Sequence, residues 1–294
     1  EVDAAQLEEV VNALLRTWSD KLGDGLAEVV SQEDAAELSD FYSQAFNAEY
    51  RAATDPGIAA EDVFHFEAMR ADRREISIAF ANRGASTPVA GIEGATELKV
   101  YLLGKRLILS DFMPILEDVG LRVIAANPYE VELLNESGTI YIFAVQDQKE
   151  RQLAVDGRGE LLSETILASR SGDVVSDSLN ALVSSTGLHW REVDVLRGYL
   201  GYAFQVGAVP SRVSIRAALI QYPRIARELF ELFATKFDPD SSATKQERLA
   251  EIAQRRAAFF RSLRSVSALA DDRGLRRLEE LISATVRTNF YRHG

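Results

Sequence analysis

Residues 107–147 read LILSDFMPILEDVGLRVIAANPYEVELLNESGTIYIFAVQD. Proline lacks the amide hydrogen that a helix interior needs, so Pro114 is expected in the first turn of a short helix. Ser110 and Asp111 are residue types that cap helix starts, and the helix is expected to begin near them. Gly120 is a typical helix stop. The segment therefore opens with one helix.

Two strands follow this helix and are expected to form a hairpin. Leu121–Ala125 begins the first strand, Pro128 kinks or ends it, and Val131–Leu134 continues it. A turn at 135–138 has the Asn, Ser and Gly content of a hairpin connection. Thr139–Val145 then returns with the β-branched and aromatic residues that are typical of a strand.

A strand, a helix and a hairpin make half of a ferredoxin-like βαββαβ unit. Leu98–Leu103 supplies the strand before the helix, after a loop at 82–96 that is rich in Gly, Ser, Thr and Pro. Ile76–Phe80 alternates with a period of two, and this upstream strand could take the place of the missing one. Glu160–Ala168 could be the second helix.

Helical spacing of apolar residues dominates on both sides of this module. Gly23 and Gly25 are expected to end the first helix, and Asp55-Pro56-Gly57 reads as a turn. The fold class is α+β and predominantly helical, in three regions: helical 1–75, α+β module 76–170 and helical 171–294. The predicted helices outside the module cover residues 3–22, 33–50, 59–72, 174–185, 190–205, 211–221, 225–237, 249–266 and 275–286.

The apolar faces of these helices predict the side chains that enter the core. An aromatic cluster lies at near-helical spacing in the C-terminal region, and such a cluster is more typical of a core than of a ligand-binding site. Its members are Trp190, Tyr199, Tyr202 and Phe204. The other expected core residues include Val63, Phe66, Met69, Val193, Leu196, Leu200, Leu249 and Val286.

Composition narrows the class of protein. The chain has 294 residues, 47% of them hydrophobic, with no cysteine and a net charge of −12. No apolar run is long enough to span a bilayer, so no membrane partner is expected. The acidic charge disfavours nucleic acid, and the basic C-terminal region is better explained by contact with an acidic protein surface. The absence of cysteine fits a cytoplasmic location. The start inside a helical pattern favours a fragment of a longer protein.

The sequence contains no recognisable set of catalytic or cofactor-binding residues. Gly91-Ile92-Glu93-Gly94-Ala95 has too few glycines for a dinucleotide turn and is followed by a strand. His65, His189 and His293 lack the helical spacing that would place two metal ligands on one face. Asp271-Asp272 reads as a charged turn between helices. Catalytic, cofactor-binding and metal residues are therefore predicted to be absent from this chain.

Four segments carry a resemblance to a known family. They are LSDFMPILEDVGLRV at 109–123, WREVDVLRGY at 190–199, PRIARELFELFATKFDP at 223–239 and ATVRTNFY at 284–291. In order and spacing they resemble the very large bacterial NAD-dependent glutamate dehydrogenases. The resemblance extends over most of residues 38–291, and residues 1–37 match only in helical character.

This resemblance implies a place within a longer enzyme. The family's N-terminal half looks like ACT-type modules with helical segments, followed by a Rossmann-type catalytic domain that binds NAD. The chain would be a non-catalytic segment just upstream of that domain, which would be its partner in the same polypeptide. A homo-oligomer is expected as well.

Three hypotheses remain open for the chain itself. The first is a regulatory and assembly segment that binds an amino-acid effector at the helix start formed by Leu109, Ser110 and Asp111, where free N–H groups could meet a carboxylate. Pure capping roles for Ser110 and Asp111 are the simpler interpretation. The second is a structural oligomerisation module without a small-molecule ligand. The third, least favoured, is an independent enzyme built from scattered residues.

Overall fold

A computed structural model describes residues 16–83, 92–134 and 136–292. They divide into two compact units. The first consists of the chain up to residue 109 together with 123–155, and the second consists of 110–122 together with the chain from 156 onward. No helix in the described ranges has the length and apolarity needed to cross a membrane.

Four helices form the N-terminal part of the first unit. Each is preceded by a Thr, Ser, Asn or Asp whose side chain accepts a hydrogen bond from a backbone N–H of the first turn, which satisfies a donor that the helix itself leaves free. The helices are α1 Trp18–Ala27, α2 Gln32–Ala45, α3 Ala48–Ala53 and α4 Pro56–Ala71.

The predicted end of the first helix was wrong. Helix α1 continues through Gly23 and Gly25 to Ala27, and the part predicted before residue 16 lies outside the described residues. A Cβ atom added at Gly25 would lie 3.2 Å from the Cβ atom of Ala60. Gly25 therefore allows α1 and α4 to pack closely, and it does not end the helix.

The predicted helix over 33–50 is two helices. Phe46 has an extended backbone (ψ 127°) and pairs as an isolated bridge with Val131. Asn47 then caps α3. The expected turn at Asp55-Pro56-Gly57 is the capped first turn of α4, because Asp55 accepts a hydrogen bond from the backbone N–H of Gly57 and proline suits the first helical position.

A four-stranded sheet completes the first unit. Its order is β1-β2-β4-β3, and β2 pairs antiparallel with both β1 and β4. The upstream strand does take the place of the missing ferredoxin-like strand, as predicted, since Ile78 pairs with Val100 beside β2. The strands are β1 Ile76–Ala81, β2 Thr96–Leu103, β3 Leu121–Leu133 and β4 Glu136–Asp147.

Pro128 does not end β3, which runs unbroken for 13 residues. Strand β3 lies at an edge of the sheet. A proline is tolerated on an edge strand because its missing N–H need not remove a ladder hydrogen bond.

Aromatic side chains dominate the core of the first unit. The rings of Phe46 and Tyr50 stack with 4.4 Å between their centroids, and Tyr129 meets Tyr50 edge-on at 5.5 Å. The predicted apolar side of α4 is confirmed, since three of its members are fully buried: Val63, Phe66 and Met69.

The second unit is helical in its described residues. Helix α10 packs against α7, α8, α9, α11 and α12 and contributes the fully or almost fully buried Leu229, Leu232 and Phe233. Short 3₁₀ turns precede α7 and follow α11, at Ser178–Asn180 and Leu263–Ser265. The helices are α5 Leu109–Asp118, α6 Gly159–Ser171, α7 Ala181–Thr186, α8 Trp190–Gln205, α9 Arg212–Gln221, α10 Pro223–Phe237, α11 Lys245–Ser262 and α12 Leu269–Ala284.

Two local predictions in this unit need correction. Pro114 lies inside α5 and not in its first turn, because the helix already begins at Leu109. Because Pro114 has no N–H, the backbone carbonyl of Ser110 lacks the hydrogen bond that it would otherwise accept within the helix. Ser110 is exposed, so water can replace this bond. Asp271-Asp272 lies in the first turn of α12, where carboxylates favour the helix dipole, and not in a turn between helices.

Three predicted core side chains are exposed. Phe204, Leu249 and Val286 are 42%, 59% and 85% exposed. Ala203 is fully buried in place of Phe204, because one residue is a rotation of about 100° on a helix. The Phe204 ring instead lies under the Arg212 guanidinium, at 4.7 Å.

Candidate functional site

The first unit contains a buried ionic centre, here called the Asp62 cluster (Tyr50, Asp62, Glu97, Lys99 and Tyr101). The Asp62 carboxylate is completely buried and accepts bonds from the Lys99 ammonium at 2.7 and 2.8 Å. The Tyr101 hydroxyl donates to the same carboxylate at 2.6 Å, and the Tyr50 hydroxyl donates to it as well.

Local structure explains how these groups meet. Glu97, Lys99 and Tyr101 alternate along β2, so their side chains point to one face of the sheet. Asp62 lies on α4, and Phe66 and Met69 follow it at the spacing of the apolar stripe. The single carboxylate of that stripe therefore meets the single lysine of the strand.

Glu97 extends the cluster toward the surface. Its Oε1 atom is 3.0 Å from Nε of Arg83 and 3.7 Å from Nζ of Lys99. Its Oε2 atom is buried and has no hydrogen-bond partner among the described residues. Burial raises the pKa of Glu97 above its ordinary value, against the opposing effect of Lys99 and Arg83. Arg83 continues the chain of charges to Glu61.

The tyrosines of the cluster act as neutral donors. Burial, and then the nearby Asp62 charge, raises the pKa of both Tyr50 and Tyr101 well above the ordinary value. His65 stacks on the Tyr101 ring, with 4.4 Å between centroids and 16° between the planes. Burial lowers the pKa of His65, so the neutral imidazole is favoured there.

Lysine, aspartate and tyrosine together would suit proton transfer in an open site. Here Asp62, Lys99 and Tyr101 are at most 2% exposed, so a substrate cannot reach them. The cluster is therefore a structural ion network. Sequence reasoning missed it, although two signals were present: Asp62 on an apolar stripe, and charged residues at two positions of a strand that is buried on both faces.

The predicted effector residues lie at the start of α5. Leu109 is 42% exposed, and Ser110 and Asp111 are exposed too. Ser110 donates to Asp111 at 3.4 Å, which is a long contact between neighbours in the chain. Leu109 is already helical, so the predicted capping position of Ser110 was wrong. Binding of an effector at these residues stays a prediction.

The histidines occupy the positions that the sequence suggested, where they are described. His65 lies half-buried against the core, and His189 caps α8 through a reciprocal capping box with Glu192. His293 lies outside the described residues. Across residues 16–83, 92–134 and 136–292, no three His, Cys, Asp or Glu side chains come together as a possible metal site.

The second unit has an open cavity of about 370 Å³, here called the Tyr199 cleft. Helix α8 forms one wall, and residues 285–290, which follow α12, form another. The Tyr199 hydroxyl and Oγ1 of Thr285 are 2.8 Å apart and join these walls. The lining consists of Arg191, Asp194, Val195, Gly198, Tyr199, Tyr202, Phe233, Thr285, Arg287, Thr288, Asn289 and Phe290.

The Tyr199 cleft corrects the prediction for the aromatic cluster. Tyr202 is 52% exposed, so its ring does not pack in a core, whereas the partly buried Tyr199 ring meets the buried Phe233 edge-on, with 6.0 Å between centroids. The cleft also brings the ATVRTNFY segment beside the WREVDVLRGY segment, although they are far apart in sequence. Both segments had been singled out by resemblance.

Comparison with known families gives matches in three parts of the chain. The family models are glutamate dehydrogenase helical motif 2 over residues 26–69, the glutamate dehydrogenase ACT3 domain over 85–158 and glutamate dehydrogenase helical motif 3 over 174–239. The NAD-specific glutamate dehydrogenase of Pseudomonas aeruginosa is 32% identical over 292 residues, which is 99% of this chain and 18% of that protein. The chain thus matches a segment of NAD-specific glutamate dehydrogenases over almost its whole length.

Further relatives give the same result. The NAD-specific glutamate dehydrogenase of Halomonas elongata is 31% identical, and that of Mycobacterium tuberculosis is 28% identical, each over 99% of this chain. The chain spans less than a fifth of the length of these relatives. The glutamate dehydrogenase helical motif 2 model covers α2, α3 and most of α4 but only the end of α1, and the ACT3 model covers β2, α5, β3 and β4.

Proposed function

We propose that the chain is a regulatory and assembly segment of an NAD-specific glutamate dehydrogenase. The parent reaction would be the oxidative deamination of L-glutamate to 2-oxoglutarate and ammonia, in the cytoplasm. NAD and glutamate would bind to a catalytic domain elsewhere in the same polypeptide. One observation carries the proposal: an ACT domain between two helical motifs accounts for the family matches in this chain.

The proposed function assigns a part of the chain to each of three consecutive regions. We assign residues 1–75 to a helical region, residues 76–170 to the ACT-like module and residues 171–294 to a helical region that would lead to the catalytic domain. The sealed Asp62 cluster supports a structural role for the ACT-like sheet, since its charged groups are closed to any substrate.

A turnover assay tests the non-catalytic part of the proposal. The isolated chain is mixed with L-glutamate and NAD, and formation of NADH is followed by absorbance. No turnover above the protein-free control is expected. Steady NADH production that scales with the concentration of the chain would overturn the proposal.

Regulation is tested by calorimetry with a panel of amino acids that includes glutamate and aspartate. Saturable heat that weakens in the Ser110→Ala and Asp111→Ala variants would support an effector at the start of α5. Ser214→Ala, at an exposed serine near the start of α9, is the matched control. Absence of heat across the panel would favour the alternative, a structural oligomerisation module without a small-molecule ligand.

A specific observation favours assembly through the sheet. Strand β3 is an edge strand, and Ile124 on it is 41% exposed. Edge strands offer unpaired backbone groups to a second copy, and a lysine on the edge blocks such pairing. We expect the Ile124→Lys variant to be monomeric by light scattering while the native chain self-associates. A native chain that is monomeric at all concentrations would contradict assembly through this strand.

A further inference from the structure

The second unit has another open cavity, of about 530 Å³, here called the Arg261 cavity. Residues 221–225, where α9 ends and α10 begins, form one wall, and the end of α11 with the following 3₁₀ turn forms the other. We infer that this cavity binds a small oxyanion with two negative charges, either a phosphate or a dicarboxylate. Such binding would be independent of the proposed regulatory role and of self-association through β3.

The charge of the lining is the first argument. Arg224 and Arg261 line the cavity, and the lining contains no carboxylate, although the chain has a net charge of −12. Arg261 is exposed and forms no ion pair within residues 16–83, 92–134 and 136–292. A guanidinium without a carboxylate partner, at the wall of a cavity, keeps all its donors for an anion.

Arg224 has a carboxylate partner, but this contact leaves most of its donors available. Its Nε atom is 3.2 Å from Oε1 of Glu228, and its side chain is 83% exposed. The contact uses one of the five N–H groups of the guanidinium, so both Nη atoms remain for a ligand. Guanidinium groups bind phosphate and carboxylate oxygens in pairs of hydrogen bonds, so two of them match an anion with two negative charges.

Glu228 joins the two walls from behind. Its Oε1 atom accepts the bond from Arg224 on α10 and a second bond, at 2.8 Å, from the hydroxyl of Ser262 on α11. Glu228 is only 13% exposed and does not line the cavity. It therefore holds Arg224 in place relative to α11 without filling the space between the walls. Donors that are already held in place lose less conformational entropy when a ligand binds.

Neutral groups complete the lining. The Tyr222 hydroxyl accepts a long bond of 3.4 Å from the Gln221 amide and keeps its own proton to donate. The Tyr222 ring and Pro223 add apolar surface against which the carbon atoms of a ligand can pack. The volume of about 530 Å³ lies within the usual range for ligand pockets.

The test is calorimetric titration of the chain at pH 7.5 and constant ionic strength. The probes are inorganic phosphate and succinate, and acetate is the singly charged control. We expect saturable binding of phosphate or succinate, at least about tenfold tighter than that of acetate. The tighter probe would show whether the natural ligand is a phosphate or a dicarboxylate. Absence of saturable binding by both probes, or acetate that binds as tightly, would overturn the inference.

Matched variants locate the site. Arg261→Gln removes the unpaired charge of the lining, whereas Arg264→Gln removes an exposed charge three residues further along, outside the lining. Arg224→Gln removes the second guanidinium. Arg287→Gln changes the Tyr199 cleft instead, so it separates the two cavities of this unit.

We expect Arg261→Gln and Arg224→Gln each to weaken binding of the tighter probe about tenfold, with Arg264→Gln and Arg287→Gln within about twofold of the native chain. Thermal melts check that each variant is folded, and Arg261→Gln keeps the test decisive if Arg224→Gln destabilises the chain by releasing Glu228. Equal binding by Arg261→Gln and the native chain would overturn the inference. So would an equal loss in Arg264→Gln, because binding would then depend on general positive charge and not on the cavity.

Discussion

The Asp62 cluster and the Tyr199 cleft use polar side chains in different ways. In the cluster, one carboxylate accepts bonds from one ammonium and two hydroxyl groups, and all of them are buried. In the cleft, two guanidinium groups face an open cavity without carboxylate partners among the described residues. Residue type alone therefore does not show whether polar groups are sealed inside the fold or open to solvent; their partners and their exposure do.

The largest expected effect comes from breaking the buried cluster. Asp62→Ala leaves the Lys99 ammonium and the hydroxyls of Tyr50 and Tyr101 buried without their acceptor. We expect the free energy of unfolding to fall by about 3–5 kcal/mol, measured by urea denaturation. Asp72→Ala, which removes an exposed carboxylate paired with Arg74, should cost no more than about 1 kcal/mol. Similar losses in both variants would contradict the structural role of the cluster.

A smaller effect is expected from one hydroxyl of the cluster. Tyr101→Phe removes a hydrogen bond to a fully buried carboxylate, and a loss of about 1.5–3 kcal/mol is expected in the same denaturation experiment. Tyr42→Phe is the control, because Tyr42 donates to Glu67, whose side chain is 35% exposed and can be hydrated in the variant. The Tyr101 variant should be the less stable of the two, and the reverse order would count against the argument from burial.

The pH dependence of stability sharpens the comparison within the cluster. The pKa of Glu97 in the folded chain is raised above the ordinary 4.5. The stability that the protonated Glu97 side chain contributes is therefore fully present below pH 4.5 and is lost as pH rises through the folded pKa. Glu97→Gln cannot ionise, and we expect it to be more stable relative to the native chain as pH rises from 4.5 toward neutral. Denaturation at a series of pH values measures this.

Glu247→Gln is a control variant whose stability relative to the native chain is expected to change with pH in the opposite direction. Hydrogen bonds to the side chain and backbone of Thr244 lower the pKa of Glu247, so its contribution is present above the ordinary value and is lost as pH falls. The two variants should diverge from the native profile in opposite directions. Parallel profiles would show that burial does not control the protonation of Glu97.

The smallest expected effect lies at the cleft. Gly198→Ala adds a methyl group to open space on a helix and should stabilise the chain by about 0.5–1 kcal/mol. Gly274→Ala on α12 should instead destabilise it by about 1–3 kcal/mol, because its Cβ atom would lie 1.9 Å from Cδ1 of Ile215. Thermal unfolding of both variants checks the signs. A destabilised Gly198→Ala would mean that the wall of the cleft is not open.

Local patterns predicted most of the secondary structure. The alternation at Ile76–Phe80 and the hairpin composition after Gly120 gave strands that the fold contains. Errors arose where one residue type serves two purposes. Gly25 allows close packing of two helices, Pro128 is tolerated on an edge strand, and Phe46 breaks a helix in order to bridge to Val131.

Neither site could be assembled from local patterns. The Asp62 cluster needs α3, α4 and β2 to converge, and its lysine and aspartate are 37 positions apart in sequence. The Tyr199 cleft needs a bond between side chains 86 positions apart. Periodicity places each residue on a face of its own element, but it contains no information on which faces of distant elements meet.

The position of β1 has a practical consequence for dissecting the protein. The ACT3 match begins at residue 85, after this strand has ended. A shorter chain cut at that boundary would lack β1 and would uncover the backbone edge of β2, a strand whose eight residues are all buried in the intact sheet. Such a piece would be prone to aggregate, so an autonomous version of the module has to start before Ile76 and retain the α4 helix that carries Asp62.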